Sequence, residues 1–324
     1  MIVKNGLVWN GRNFEKRTLY VEDNKFVEYT DLGPVVDATG LFVMPGFVDS
    51  HAHVIGTGLK SLTYDLEKVE LEDVLSEAND KTFIVARGWE KLPANEILNR
   101  ANSFDKPIFL IRKCGHVAWV NNHLKNALDL PDNLIREGQI EQVYGEFGSE
   151  LYERAFSEGQ REFLRHGVTQ VHSDDFHGIS FEKLKELLNH SKIRIFEKLN
   201  TYEPWLYEFG EFGLSMIGSI KLFADGSLGG KTAHMHEPYK GSDERGVDTL
   251  PDNFDEIVRF AEERNIQLSI HVIGDEALHE VLDRFDKNSA RVKHRLIHLQ
   301  FVRRSDFDRL KNLYLSVQPH FYFE

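Results

Sequence analysis

The sequence has almost no cysteine and no long apolar run, and each shortage excludes a class of protein. Cys114 is the only cysteine among 324 residues, so no disulfide can form within the chain. This composition indicates a reducing compartment, and we expect the cytoplasm. Cys114 itself is expected to be a small core residue rather than a nucleophile. No apolar run approaches the ~20 residues of a membrane helix, and the first residues lack the apolar segment of a signal peptide.

The sequence also has fewer basic than acidic residues. The chain has 39 lysines and arginines against 52 acidic residues, which gives a net charge of −13. A protein of this charge is repelled by nucleic acids and anionic membranes, so we expect neither as a partner. A hydrophobic content of 41% is enough for a sizeable core, in one large domain or two modest ones.

The first 44 residues differ in pattern from the rest of the chain. They contain short apolar runs separated by turn residues such as Gly6, Asn10-Gly11 and Asp23-Asn24. A piece of this size cannot bury a core of its own. We therefore expect residues 1–44 to be the N-terminal part of a small β-sandwich domain, followed by a second domain over residues 45–324.

From residue 43 onwards, apolar strands alternate with amphipathic helices, which is typical of parallel strands joined by crossover helices. An α/β insertion at about 57–165 interrupts this order. Seven such strands can be counted: Phe42–Val48, Gly167–Val171, Ile193–Phe196, Ser219–Phe223, Gln267–Ile270, Arg295–Ile297 and Tyr314–Val317. The pattern predicts a (β/α)8 TIM-type barrel that is incomplete in this sequence, because such a barrel has eight strands.

Histidines follow several of these strands. His51 and His53 are two residues apart, so on an extended backbone both imidazoles lie on one face and can reach one ion. His271 and His298 directly follow the fifth and sixth strands, and Lys221 lies within the fourth. The active site of such a barrel lies at the carboxyl ends of the strands. The pattern therefore predicts a metal site, although each histidine alone is more often structural.

Other polar residues have two interpretations each. His116 and Asp225 are candidates for substrate binding, but a structural histidine and ordinary turn chemistry explain them as well. Asp174 and Asp175, with His172 and His177, follow the second strand. A second metal site is conceivable there, and helix capping by the aspartates is the simpler interpretation.

Several segments resemble the amidohydrolase superfamily, in particular its amidohydrolase 3 branch, which includes N-substituted formamide deformylases. They run through nearly the whole sequence in the order of that branch. The segments are 45–53 (PGFVDSHAH), 86–89 (ARGW), 115–121 (GHVAWVN), 221–229 (KLFADGSLG), 270–275 (IHVIGD) and 295–300 (RLIHLQ).

The resemblance implies a metal-dependent hydrolase that cleaves a non-peptide C–N bond, in an amide or an N-acyl or N-formyl amine, by attack of a metal-bound hydroxide. It implies one or two divalent ions, which we expect to be zinc. His51 and His53 match the ligands of the more buried ion, and His271 and His298 those of the second. Lys221 matches the lysine that bridges the two ions as a carbamate. Lys221 and His298 are the expected catalytic residues.

Two alternatives remain open. In the first, the protein is a mononuclear, deaminase-like hydrolase in which Lys221 is only structural. In the second, it is a catalytically silent barrel that binds a ligand, because the family uses an aspartate after strand eight and no residue here matches it. We expect the sequence to be a fragment of a longer protein that carries this aspartate. The expected partner is a small amide-type molecule, with a homo-oligomer as a further expectation.

Overall fold

The computed structural model describes residues 1–77, 83–113, 117–136, 138–146 and 148–319. The chain divides into two compact units, Met1–Phe47 and Val48–Glu324. His116 and Cys114, about which the sequence makes predictions, lie outside the described residues.

The N-terminal unit is a five-stranded sheet. Its strands are β1 (Ile2–Trp9), β2 (Phe14–Glu22), β3 (Lys25–Val27), β4 (Val35–Asp37) and β5 (Phe42–Val43). The order is β3-β2-β1-β4, and β5 also pairs with β1. Its strands occur where the turn residues predicted them, and the second layer of a sandwich stays a prediction.

The second unit begins with β6 (Phe47–Ala52) and helix α1 (Val54–Leu62). The inserted part then has its own sheet, in the order β11-β10-β9-β8-β7. Its strands are β7 (Tyr64–Asp65), β8 (Ile84–Trp89), β9 (Ile108–Arg112), β10 (Val117–Val120) and β11 (Leu134–Arg136). Its helices are α2 (Leu71–Ser76), α3 (Asn95–Asn102), α4 (Asn122–Ala127), α5 (Gly138–Glu146) and α6 (Gly148–Arg165).

The central strand of the inserted sheet shows why this part folds as a layered structure. All four residues of the run from Ile108 to Ile111 are buried. Successive side chains of a strand point to opposite faces. Ile108 and Leu110 accordingly pack in one apolar cluster, and Phe109 and Ile111 in another. The sheet is thus covered on both faces.

The remaining strands complete the main sheet. They are β12 (Val168–Ser173), β13 (Arg194–Asn200), β14 (Gly210–Phe212), β15 (Ser215–Phe223), β16 (Gln267–Val272), β17 (Arg295–His298) and β18 (Tyr314–Val317). The helices between them are α7 (Phe181–Asn189), α8 (Phe254–Arg264) and α9 (Asp275–Lys287), with 3-10 helices at Pro204–Leu206 and Arg304–Asn312. No helix of the described ranges is both long enough and apolar enough to cross a membrane.

Seven strands form a nearly closed parallel sheet in the order β18-β17-β16-β15-β13-β12-β6, and β14 pairs antiparallel with β15. This is a TIM-type α/β barrel, as the alternating pattern predicted. β6 and β18 are the two end strands, and the Ser316 hydroxyl donates a hydrogen bond to the Ser50 carbonyl at 3.2 Å. Whether the sequence is a fragment stays a prediction.

Alternation along the strands separates the apolar exterior of the barrel from its polar interior. In β15, Ile220 and Leu222 pack outward in the apolar cluster that includes helices α8 and α9. Ser219 and Lys221 therefore point to the opposite face, and both are buried. The same alternation in β16 places His271 on the inner face.

The predicted first strand, Phe42–Val48, was wrong in its bounds. Phe42 and Val43 pair with β1 in the N-terminal sheet, and the barrel strand is Phe47–Ala52. Pro45 lies between the two strands. Its ring removes the backbone N–H that a continuous strand would need, so the apolar run is divided there.

Candidate metal centre

The His-x-His pair lies where β6 passes into α1. His51 is within β6, and His53 is the residue before the first turn of α1. Their ring centroids are 5.3 Å apart. The first two amides of the helix, from Val54 and Ile55, donate to the two carboxylate oxygens of Asp175 at 3.0 Å each. Asp175 therefore holds the helix start from the neighbouring strand, and His53 with it.

His271 and His298 reach the same place by different backbone routes. The regular alternation of β16 turns His271 inward. In the aligned strand β17, Ile297 is the partner of His271, so His298 would point outward in a regular strand. His298 instead has a φ of 74°, which redirects its side chain. Its ring centroid lies 4.6 Å from that of His271 and 5.1 Å from that of His51.

Hydrogen bonds orient three of these imidazoles. His53 Nδ1 donates to the Asp174 carbonyl at 2.6 Å, and His271 Nε2 donates to the Gly226 carbonyl at 2.9 Å. His298 Nδ1 donates to Gln318 Oε1 at 2.7 Å. Such bonds fix the tautomer of a metal-binding histidine and leave its second nitrogen as the ligand atom. In His53 that atom is Nε2, and in His271 it is Nδ1.

Lys221 is paired with a buried carboxylate. Its Nζ lies 2.7 Å from Asp174 Oδ2, and both side chains are buried. Burial lowers the pKa of Lys221, whereas the Asp174 carboxylate raises it. Burial alone would raise the pKa of Asp174, but the Lys221 ammonium and His177 hold it well below its usual range. The pair is thus a carboxylate and a desolvated amine inside the barrel.

A second buried lysine lies beside His51. Lys198 points inward from β13, and its Nζ is 3.1 Å from His51 Nδ1 and donates to the His172 carbonyl. Burial lowers the pKa of Lys198 to about 8. Sequence reasoning missed this residue because a lysine in a strand is usually solvated, and nothing in the local pattern distinguishes an inward-facing one.

The side chains present fit a divalent cation. Burial lowers the pKa of His51 to about 2, that of His271 to about 3 and that of His298 to about 4. These imidazoles are therefore neutral at pH 7, which is the form that binds a metal. Asp174 adds an ionised carboxylate whose Oδ1 is buried and makes no hydrogen bond with the residues described. Neutral imidazoles with a carboxylate are the ligands that zinc and similar ions prefer.

Asp225 makes the contacts of a loop anchor. Its carboxylate accepts hydrogen bonds from the backbone amides of His234, Ile273 and Gly274 at 3.0, 3.0 and 2.6 Å. Oδ1 also lies 3.7 Å from His271 Nε2. These bonds join the loop after β15 to the turn after β16. The predicted contact of Asp225 with substrate stays untested.

The two aspartates after the second strand have different roles. Asp175 caps a helix, as the simpler interpretation held, although the helix is α1 and not the one that follows in sequence. Asp174 points into the site beside Lys221 and His177. Its place at the end of a barrel strand, which it shares with the histidines, is the signal that made it a candidate in the sequence.

Comparison with known proteins gives a consistent result. The model described as Amidohydrolase family matches residues 34–324. The chain is 26% identical, over 88% of its length, to putative amidohydrolase YtcJ of Bacillus subtilis, and it spans 64% of that protein's length. Two solved structures, described as uncharacterized metal-dependent hydrolases from Pyrococcus furiosus and Pyrococcus horikoshii, superpose over 99% of the chain. Their TM-scores are 0.84 and 0.83, their identities 26% and 27%, and the chain covers 77% and 74% of them.

Proposed function

The chain belongs to the amidohydrolase family, and on that premise we propose that it is a metal-dependent hydrolase of non-peptide C–N bonds. The expected substrates are small amides or N-acyl amines, with N-formyl amines as the first class to test. The observation that carries the proposal is the row of four imidazoles at one end of the barrel, in which neighbouring ring centroids lie 4.6 to 5.3 Å apart. Its members are His53, His51, His298 and His271. The chain is shorter than its relatives, so this activity is proposed for the protein of which it forms at least a part.

We expect the ion to be zinc, held by the four histidines. Lys221, as a carbamate, would supply a further anionic ligand if two ions are bound. A divalent ion at such a site polarises a substrate carbonyl and lowers the pKa of water towards neutrality. Lys221 is placed for carbamate formation because burial favours its neutral amine, although the contact with Asp174 opposes this.

The chain's own residues supply orientation. Carbonyls of Asp174 and Gly226 hold the protons of His53 and His271 on Nδ1 and Nε2, so that His53 Nε2 and His271 Nδ1 would be free to bind an ion. Gln318 does the same for His298. These contacts keep each ring in one tautomer and one rotation, which is the preorganisation that a metal site needs. The cytoplasmic location, proposed from the single cysteine, needs a localisation experiment of its own.

The test is hydrolysis of N-formyl and N-acetyl benzylamine by the purified full-length protein that contains this chain, before and after chelation and after zinc is restored. We expect release of benzylamine that is lost on chelation and regained with zinc. The His271→Ala variant should lose this activity, and the His166→Ala variant, which changes an exposed histidine directly after α6, should keep it. Metal binding without turnover of any amide would support the silent, ligand-binding alternative instead.

One observation favours a second candidate, a mononuclear deaminase-like hydrolase. The ion pair between Lys221 and Asp174, at 2.7 Å, would be broken by carbamate formation, which places two anions side by side. If the pair persists, Lys221 is structural and one ion is bound. Metal analysis separates the two candidates, because the bridged site gives two ions per chain and the mononuclear site gives one.

A further inference from the structure

The turn after β12 brings two more potential ligands to His53. The ligand atoms of His53, Asp174 and His177 all lie within 4.8 Å of one another. Asp174 is fully buried, whereas 34% of the His177 side chain is exposed. This group lies at the opposite end of the row of imidazoles from His271. The resemblance to the family assigns no ligand from this turn.

Asp174 has one oxygen without a hydrogen bond. Oδ2 is taken by Lys221, but Oδ1 is buried and has no hydrogen-bond partner of good geometry among the residues described. Its near neighbour is His177 Nε2, at 3.2 Å. Native structures rarely leave a buried carboxylate oxygen without a partner or an ion. Oδ1 therefore either pairs with a protonated His177 or shares a cation with a neutral one.

His177 is held from its other side by Asn200 at the end of β13. Asn200 Nδ2 and His177 Nδ1 are 3.2 Å apart. The nitrogen and oxygen of a side-chain amide exchange places when the amide turns over, and hydrogen-bond partners decide which orientation is present. With the oxygen facing His177, Nδ1–H donates to Asn200. The Nε2 lone pair then points towards Asp174 Oδ1, where a cation would be shared.

We propose that Asp174 and His177 bind the divalent ion together with His53, so that the turn after β12 supplies an anionic and a neutral ligand. This inference rests on the proposed function, since it extends the same metal site. Two atoms that are each about 2.1 Å from one zinc ion lie at most about 4.2 Å apart. The three ligand atoms must therefore close by a few tenths of an ångström, and the exposed Gly178 beside His177 allows that adjustment.

The experiment measures zinc affinity by competition with a chromophoric chelator, for the full chain and three variants. We expect His177→Ala and Asp174→Asn each to weaken zinc binding by at least about tenfold, the lower bound for residues that merely support a metal ligand. His190→Ala, which changes an exposed histidine at the end of α7, should bind zinc like the unmodified chain.

A second measurement follows the ligands directly. The visible absorption of bound cobalt depends on ligand number and geometry, so His177→Ala should change the cobalt spectrum and His190→Ala should not. Unchanged zinc affinity and cobalt spectra in both His177→Ala and Asp174→Asn would overturn the inference and leave the proposed function intact. If the unmodified chain binds neither zinc nor cobalt, the inference and the proposed function both fail. Because His177 is partly exposed, its variant should fold even if Asp174→Asn does not.

Discussion

Replacing Gly58 by alanine tests how closely α1 and α6 cross. A Cβ atom at residue 58 would lie 1.7 Å from the Ala155 carbonyl oxygen and 2.8 Å from the Gly159 nitrogen. A normal carbon–oxygen contact is about 3.3 Å, so the helices would have to separate by roughly 1.5 Å. The clashing atoms are backbone, so no side chain can turn away to relieve the contact.

The expected cost follows from two opposing effects. Overpacking of this kind costs up to about 3 kcal/mol, and alanine regains about 1 kcal/mol of helix propensity over glycine. We therefore expect Gly58→Ala to lower the free energy of unfolding by about 2 kcal/mol, measured by urea denaturation. Because α1 begins next to His53, zinc affinity should fall as well.

Gly56→Ala is the matched control for this prediction. Gly56 lies in the same helix and is exposed, and an added Cβ would meet the His53 side chain, at 3.1 Å from its Cβ and 4.0 Å from its Cγ. The same gain in helix propensity should make Gly56→Ala neutral or stabilising. If Gly58→Ala were as stable as Gly56→Ala, the two helices would not cross as closely as described.

Three further predictions concern the backbone and the buried charges. His298 has a φ of 74°, which strains alanine but not glycine. His298→Gly should therefore be more stable than His298→Ala by about 1 kcal/mol, and equal urea midpoints of the two variants would contradict this. Asp225→Asn should lower the free energy of unfolding by about 2–3 kcal/mol, since an amide cannot accept all three backbone hydrogen bonds. Asp248→Asn, in an exposed turn, should lower it little. Equal losses of the two variants in thermal unfolding would refute the anchoring role of Asp225. Metal-free protein should become less stable as the pH falls from about 6.5 towards 4, because the unfolded chain takes up protons on histidines whose folded pKa values are lowered. His177 and the buried carboxyl groups of Asp175, Glu197 and Asp225, whose pKa values are raised, offset part of this loss, and a flat curve over this range would contradict the prediction. The histidines with lowered pKa values are His51, His172, His271, His294 and His298.

The barrel could be predicted from the sequence because its signal is repeated. Each strand is a short apolar run followed by an amphipathic helix, and seven repetitions outweigh errors in any one of them. The first strand shows the limit of this reasoning. The apolar run at 42–48 belongs partly to each of two sheets, and only pairing partners far away in sequence decide where one strand ends.

The site was predictable where backbone geometry is regular. His271 reaches the interior by simple alternation in β16, as the sequence suggests. His298 does so only because its φ is positive, and no pattern in the residues around it indicates that. Lys198 and Asp174 depend on which face of their strands turns inward, and this is set by the packing of the whole barrel.

The most direct test of the central claim is anomalous X-ray diffraction from crystals grown with zinc, recorded on both sides of the zinc absorption edge. We predict a peak among His51, His53, His271 and His298, about 2.1 Å from the imidazole nitrogens that bind it. The further inference adds Asp174 and His177 to the ligands of an ion at His53. An anomalous peak only at surface histidines, or none at the barrel mouth while zinc is bound elsewhere, would contradict the claim that these side chains form a metal centre.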